Sequence, residues 1–308
     1  MKKIIKIEEV NEIDHVIYMD TDSIYFSMLP MFAIEGLNTD EEKKKSCIKN
    51  LTEISDRINA FYKVAIVRMF NTTDNRIKIA ADVVAKAAFW LVKKRYAMQK
   101  VYDMELHKDI DKMEVKGLDV VRSSFPKKFR SFMEQILKNI LTNVQKKEMD
   151  LFILAFKKQI KDFDIEDVAK NTSVKFKSSE TAKQKIDFNP KSREPFHFIK
   201  GSTAQCKASL AYNDMLKKHG CKETEPIMHG AKIKWVYLKN NSFGLDGLAF
   251  KDDGKDPKVI MDMINTYADR NQIWDKELMK KLTAFYEALG WEIFREEQET
   301  IDNFFDFS

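Results

Sequence analysis

The chain is poor in cysteine, and the few cysteines are far apart. Three occur in 308 residues, Cys47, Cys206 and Cys221, and no two have Cys-x-x-Cys spacing. This pattern excludes a disulfide framework and indicates neither a zinc nor an iron–sulfur site. We therefore expect free thiols and a reducing, cytoplasmic location.

Long apolar runs and a strong excess of one charge are also missing. The N-terminus, Met1-Lys-Lys-Ile-Ile-Lys-Ile, reaches charged residues too early for a secretory signal, and no apolar stretch could span a bilayer. The 53 Lys and Arg against 48 Asp and Glu give a net charge of only +5 at pH 7, so global charge argues weakly for a polyanionic partner. The hydrophobic content of 44% suits a soluble globular protein of two packed units plus a tail.

Two aspartates lie where two apolar, β-branched and aromatic runs meet within His15–Ser27. The sequence Asp20-Thr21-Asp22-Ser23 is typical of the tight turn of a β-hairpin, and strand alternation would direct Asp20 and Asp22 to the same side. Because crowded carboxylates repel unless a cation lies between them, the pair predicts a hard divalent metal such as Mg²⁺ and phosphoryl-transfer chemistry. The alternative is an ordinary Asp-rich turn.

Hydrophobic periodicity predicts a long helix after this hairpin, followed by a sheet. Apolar residues recur at helical spacing between about 40 and 70, after a helix-start signature at Thr39. Ile77–Val84 and Ala87–Val92 are predicted strands, and the second continues to Tyr102. The first unit is therefore predicted to be α+β, with a structural role for Asp82.

The second half has a mainly helical pattern that begins at Pro126. The stripe of Phe129, Phe132 and Ile136 predicts a core face and not a ligand site. We expect further helices at 151–160, 202–218, 259–264 and 278–289, a strand at 233–238 and an exposed polar loop at 175–195. His197 is assigned a structural role because no second metal ligand is spaced for it.

Three segments, in order along the chain, resemble family B DNA polymerases. Tyr18–Tyr25 resembles the third palm signature, Lys93–Ala97 the primer-duplex contacts, and Lys116–Pro126 the palm-to-thumb junction. Later segments, such as Pro195–Gly201 and Asn241–Gly244, resemble the thumb of T-even-like phage replicative polymerases. The resemblance implies the C-terminal part of a palm with an antiparallel sheet and helix at 1–122, a mostly helical thumb at 123–295 and a tail at 296–308.

The resemblance also implies an activity and a metal. The activity is template-directed nucleotidyl transfer on primer-template DNA with deoxynucleoside triphosphates. Asp22 would be the primary catalytic Mg²⁺ ligand and Asp20 a supporting one, in a mechanism whose two ions lie roughly 3.5–4 Å apart. If a phage encodes the chain, it would act in the host cytoplasm.

A second set of residues is assigned to DNA binding by the same resemblance. Its cations would neutralise phosphates and give sequence-independent, salt-sensitive binding. The alternative for any one of them is a simple surface charge, and for Gly117 an ordinary turn glycine. The set is Thr21, Ser23, Lys93, Lys94, Arg95, Tyr96, Lys116, Gly117, Arg122, Lys127 and Lys128.

Several parts of such a polymerase have no match in this chain. The exonuclease domain, the first palm motif with its metal-binding Asp, and the fingers helix are missing, so the resemblance covers only the C-terminal third or so of a polymerase. Because the sequence opens with Met1 and closes with a plausible natural end, we expect a naturally split polymerase that needs a complementary N-terminal chain. The alternatives are a truncated piece, a non-catalytic DNA- and clamp-binding remnant, or another Mg²⁺-dependent phosphotransferase or nuclease.

The last residues form a separate motif. Gln298, Ile301, Phe304 and Phe305 have the spacing Gln-x-x-Ile-x-x-Phe-Phe, which resembles a sliding-clamp-binding box. One helical turn would gather the apolar side chains into a plug for a hydrophobic pocket of the clamp. The alternative is that these aromatic residues pack onto the thumb.

Overall fold

The computed structural model describes residues 15–72, 74–176 and 202–293. The chain divides into two compact units, Met1–Lys116 and Gly117–Ser308. In this division Gly117 and the short 3₁₀ turn at Asp119–Val121 belong to the second unit, whereas the palm boundary predicted from the resemblance follows residue 122 and stays a prediction.

The first unit opens with the predicted hairpin. Strands β1 (Val16–Asp20) and β2 (Ser23–Phe26) pair antiparallel, with Asp20 opposite Ser23. A two-residue turn of Thr21 and Asp22 joins them, and Thr21 has a φ of 30°. The hairpin prediction is confirmed, but the alternation argument is wrong, because Asp22 lies in the turn and not in a strand.

Two helices follow the hairpin. The short helix α1 (Leu29–Glu35) was not predicted, whereas α2 (Asp40–Phe70) confirms the helix expected at 40–70. Thr39 caps α2 in a reciprocal arrangement: its side chain accepts the Glu42 N–H, and the Glu42 carboxylate accepts the Thr39 N–H. This capping box satisfies backbone donors that the first helical turn leaves free.

A three-stranded antiparallel sheet completes the unit, in the order β3-β4-β5. Its strands are β3 (Val83–Val92), β4 (Arg95–Asp103) and β5 (Lys108–Lys116). The prediction of a strand at 77–84 is wrong for most of its length, since residues 74–82 are irregular. Strand β5 was not predicted. Cys47 of α2 and Val84 of β3 belong to a buried apolar cluster between helix and sheet.

The second unit is built mainly from helices. Pro126 precedes α3, and Phe129, Phe132 and Ile136 are buried, so the predicted core stripe is confirmed. The helices are α3 (Lys127–Leu141), α4 (Lys146–Gln159), α5 (Ile165–Val168), α6 (Ala204–Lys218), α7 (Lys258–Tyr267), α8 (Arg270–Ile273) and α9 (Lys280–Leu289). A π-helical turn, Trp274–Met279, joins α8 to α9.

This unit also contains a small antiparallel sheet in the order β6-β7-β8. Its strands are β6 (Lys170–Ser173), β7 (Lys232–Tyr237) and β8 (Gly247–Phe250). The strand predicted at 233–238 corresponds to β7, while β6 and β8 were not predicted. The expectation of a mixed α+β chain with antiparallel sheets is confirmed.

Some sequence predictions lie outside the described residues. These are the proposed clamp-binding residues at 298–305, His197, and most of the polar loop predicted at 175–195. Within the described ranges, no helix is both long and apolar enough to cross a lipid bilayer.

Candidate active-site hairpin and basic residues

The two aspartates occupy different positions at the tip of the hairpin. Asp20 ends β1 and its side chain is 26% exposed, whereas Asp22 is exposed in the turn. Thr21 Oγ1 donates to Asp20 Oδ1 at 3.3 Å, and Ser23 Oγ donates to the Asp20 carbonyl oxygen at the same distance. Local hydroxyl groups therefore fix the turn around Asp20.

A second tight turn contacts the hairpin tip. Lys93 and Lys94 join β3 to β4, so they lie in a turn and not in the strand that the sequence predicted. Lys94 Nζ lies 3.5 Å from Asp20 Oδ1, and the Lys94 backbone N–H donates to Tyr18 Oη at 3.0 Å. Lys94 has a φ of 64°, in the left-handed region. The two turns thus bring one cation to one of the two predicted metal-binding carboxylates.

Four aromatic rings connect the hairpin to the three-stranded sheet. Tyr18 and Tyr25 of the hairpin pack against Trp90 of β3 and Tyr96 of β4, with ring centroids 5.7–6.4 Å apart. The Tyr25 and Tyr96 hydroxyl groups lie 3.0 Å apart, and burial together with this hydrogen bond raises the pKa of Tyr96. Tyr96 is only 8% exposed, so in this structure it supports the hairpin, while the predicted DNA contact stays a prediction.

The chemistry of the tip fits part of a magnesium site. Mg²⁺ is commonly held by one or two carboxylates together with waters and substrate phosphates, and Asp20 and Asp22 offer such oxygen ligands. Across residues 15–72, 74–176 and 202–293, no group of three or more His, Cys, Asp or Glu side chains is placed to hold a metal. Further protein ligands, if any, would have to come from outside these residues.

An open cavity of about 690 Å³ lies beside the tip. Asp22 lines it together with Ile54 and Ile58 of α2 and with Asp82. The Asp82 backbone oxygen accepts the Met104 N–H at 3.0 Å, while the structural role expected for its side chain stays a prediction. Asp22 thus borders a mainly apolar space.

The other two basic residues of the first unit that are predicted to bind DNA, Arg95 and Lys116, lie at strand ends. Lys116 ends β5, and its ammonium group is 3.6 Å from Glu114. Arg95 is exposed at the start of β4. No contact in the structure tests the assignment of these residues to DNA binding.

In the second unit, the predicted DNA-binding residues cluster around its first segment. Gly117 has a φ of 65°, which a side chain would disfavour, in agreement with the predicted tight geometry. Arg122 pairs with Asp119 at 3.0 Å, Lys127 approaches Asp167 at 4.0 Å, and Lys128 lies over the Phe163 ring. These cations are therefore partly compensated by local partners.

Sequence reasoning missed the residues that hold the candidate site residues in place. The motif around Asp20 includes Tyr18 but predicts no role for it, and no sequence pattern points to Lys281. Lys281 contacts Asp119 across a long sequence separation, and no spacing rule could have revealed that contact.

Comparison with known proteins gives one informative similarity. No protein-family model matches the sequence. The chain is 22% identical over 315 aligned positions to the DNA-directed DNA polymerase of Enterobacteria phage T4. The alignment covers 97% of this chain and 33% of that polymerase, so the chain spans about one third of the length of this relative. The chain is therefore distantly related to a portion of a DNA polymerase.

Proposed function

We propose that this chain is the C-terminal part of a family B DNA polymerase, which carries out template-directed nucleotidyl transfer together with a second polypeptide. The observation that carries the proposal is the Asp20–Asp22 hairpin, held by aromatic packing and accompanied by a cation, in a chain similar over 97% of its length to a DNA polymerase. Residues 1–116 would serve as the remainder of a palm and the second unit as a thumb.

In the proposed reaction the primer 3′-oxygen attacks the α-phosphorus of a deoxynucleoside triphosphate and pyrophosphate leaves. Asp22 and Asp20 would hold Mg²⁺, which when bound lowers the pKa of the attacking hydroxyl and neutralises charge on the phosphates. Thr21 and Ser23 would keep the turn in shape through their bonds to Asp20. Lys94 would balance the Asp20 charge when no metal is bound.

Binding of primer-template DNA would use the basic residues of both units. Lys93, Lys94 and Arg95 would contact the primer end, and Lys116, Arg122 and the start of α3 would follow the backbone. Phosphate neutralisation of this kind is independent of sequence and weakens steeply with salt.

A complementary chain would supply what these residues lack. Two carboxylates suffice for only part of a two-metal site, and about two thirds of the T4 polymerase has no counterpart here. The partner would contribute a further metal-binding Asp, the fingers and the exonuclease. The Gln298–Phe305 motif would tether the assembly to a sliding clamp, on the strength of its spacing alone.

One observation favours a second candidate function. Because no third metal ligand joins Asp20 and Asp22 within the described residues, the chain could serve as a non-catalytic DNA- and clamp-binding module. Retention of two repelling carboxylates at one turn argues for the catalytic alternative.

The test is primer extension with Mg²⁺ and all four deoxynucleotides, by the chain alone and by the chain mixed with the polymerase fragment encoded near it. Synthesis by the mixture only would support the proposal. D22N should abolish that synthesis but leave binding of primed DNA intact, whereas the matched variant D74N, at an exposed aspartate of the same unit, should behave as wild type. A stable complex without synthesis would favour the binding module, and full synthesis by D22N would overturn the assignment of the hairpin.

A further inference from the structure

The first segment of the second unit is held by an ion network that the proposed function does not require. Asp119 lies at the start of a 3₁₀ turn, and its two carboxylate oxygens face two different cations. Arg122 Nη1 lies 3.0 Å from Asp119 Oδ1, and Lys281 Nζ lies 3.9 Å from Oδ2. One carboxylate therefore bridges a residue predicted to bind DNA and a residue of α9.

Lys281 has two further contacts besides Asp119. Its ammonium group donates to the Glu277 carbonyl oxygen at 2.5 Å and lies 4.8 Å from the centre of the Phe125 ring. Phe125 is buried, and its N–H donates to the Arg122 carbonyl oxygen. Lys281 thus contacts the segment that contains Arg122 at both of its ends.

The network continues into the interior at the π-helical turn. Glu277 is 5% exposed and is one of two buried polar or charged residues among those described. Its carboxylate accepts from Lys170 of β6 at 2.9 Å. A buried charge needs a partner, and Lys170 supplies one for Glu277, which fixes the π-helical turn whose carbonyl oxygen holds Lys281.

Arg122 remains available to a ligand within this network. Its side chain is 52% exposed, whereas those of Asp119 and Lys281 are 27% and 21% exposed. A guanidinium group has donors enough to keep one carboxylate contact and still bind a phosphate in a second direction. Asp119 can therefore orient Arg122 without blocking it.

We propose that Asp119 is a positioning residue for DNA binding: held by Lys281, it fixes the Arg122 guanidinium in the orientation that meets the sugar–phosphate backbone. This inference rests on the proposed function. It predicts a change in DNA affinity opposite to the usual electrostatic effect, because removal of a negative charge from a DNA-binding surface ordinarily strengthens binding. Loss of Asp119 should weaken it.

Asp167 provides a matched control for the substitution of Asp119. Asp167 is 26% exposed and lies 4.0 Å from Lys127, another predicted DNA-binding cation, and among the described residues it has no ion pair with a second cation. D119N and D167N remove the same charge from similar surroundings. Electrostatics alone predicts that both variants bind DNA more tightly. Positioning by Asp119 predicts instead that D119N binds DNA more weakly and D167N more tightly.

The experiment measures the affinity of the full chain for primed duplex DNA by fluorescence anisotropy at several salt concentrations. D119N should weaken binding roughly three- to tenfold, which lies in the lower part of the range of coupling between contacting residues, while D167N should strengthen it slightly. K281M should act as D119N does, and K281R should restore affinity. In an R122A background D119N should no longer weaken binding, and urea unfolding of each variant checks that the fold is kept.

The outcomes separate this inference from the proposed function. If D119N tightens binding as D167N does, or weakens it equally in the R122A background, the positioning role is overturned while DNA binding stands. If neither the wild-type chain nor its complex with the partner fragment binds primed DNA, both the proposed function and this inference are refuted.

Discussion

The Lys94 ammonium group lies 3.5 Å from the Asp20 carboxylate, although Lys94 lies in the β3–β4 turn and Asp20 at the end of β1. The Lys94 backbone N–H bonds to Tyr18, two residues before Asp20 on the same strand. The cation is thus held by its main chain next to a carboxylate that we propose as a metal ligand. Lys94 and Mg²⁺ would then compete for the same oxygen.

This competition predicts the effect of K94M on metal binding. Without the ammonium group the Asp20 carboxylate loses its local counter-charge, so Mg²⁺ should bind the chain more tightly. The change in stability should stay below about 1 kcal/mol, because both groups are partly exposed. Isothermal titration with Mg²⁺ measures the effect, with K93M as the control in the same turn. Equal affinities in both variants would contradict the competition.

Removal of the Tyr25 hydroxyl should destabilise the first unit. Y25F leaves the buried Tyr96 hydroxyl without its partner at 3.0 Å, and an unsatisfied buried polar group costs about 1–3 kcal/mol. Urea unfolding followed by tryptophan fluorescence, with Trp90 in the same cluster, would report the loss. Y62F, on α2, serves as control and should change stability by less than about 0.5 kcal/mol. A Y25F chain as stable as Y62F would show that the hydroxyl pair contributes nothing.

Acid should weaken the sheet through Glu114. Burial alone would raise the pKa of Glu114, but the hydrogen bond and charge of Lys100, 2.6 Å away, outweigh it and lower the pKa below its ordinary 4.5. A carboxyl group with a lowered folded-state pKa contributes stability that is fully present above its unfolded pKa and is lost as the pH falls through the folded value. The contribution should therefore begin to fall below about pH 4.5 and should be lost once the pH has passed below the lowered folded-state pKa.

The variant E114Q isolates this effect. Its urea midpoint should change less than that of the wild-type chain between about pH 6 and pH 3.5, because one linked carboxylate is gone. E53Q, at an exposed position of α2, should retain the wild-type acid dependence. Identical pH profiles for E114Q and the wild-type chain would refute the linkage.

Elements with strong local signals could be predicted from the sequence. Helix α2 has a capping box and sustained apolar periodicity, and the aspartate hairpin has a turn between two β-rich runs. The apolar and β-branched residues of 77–84 predict a strand, but in the structure Asn59 of α2 bonds both the N–H and the carbonyl oxygen of Ile79. A side chain thereby replaces the strand partner that the pattern implied.

Other elements depend on contacts that sequence spacing does not encode. Strand β5 is rich in charged residues without a regular apolar alternation and is held by pairing with β4, and β6 and β8 are only four residues long. At the candidate site, the sequence indicated Asp20 and Asp22 but not the approach of Lys94 or the bridge from Asp119 to Lys281. These contacts form between turns and helices that are distant in the sequence, so local sequence patterns do not predict them.

The hairpin that carries the two aspartates is a two-stranded ribbon, whereas β4 is paired on both sides. Two-stranded ribbons are marginally stable by themselves, and this one relies on aromatic packing for support. Its amide protons should therefore exchange with solvent sooner than those of β4, as a separate local opening event. A bound ion or an added neighbouring strand would then be visible as slowed hydrogen exchange at Met19 and Ile24, before any catalysis is measured.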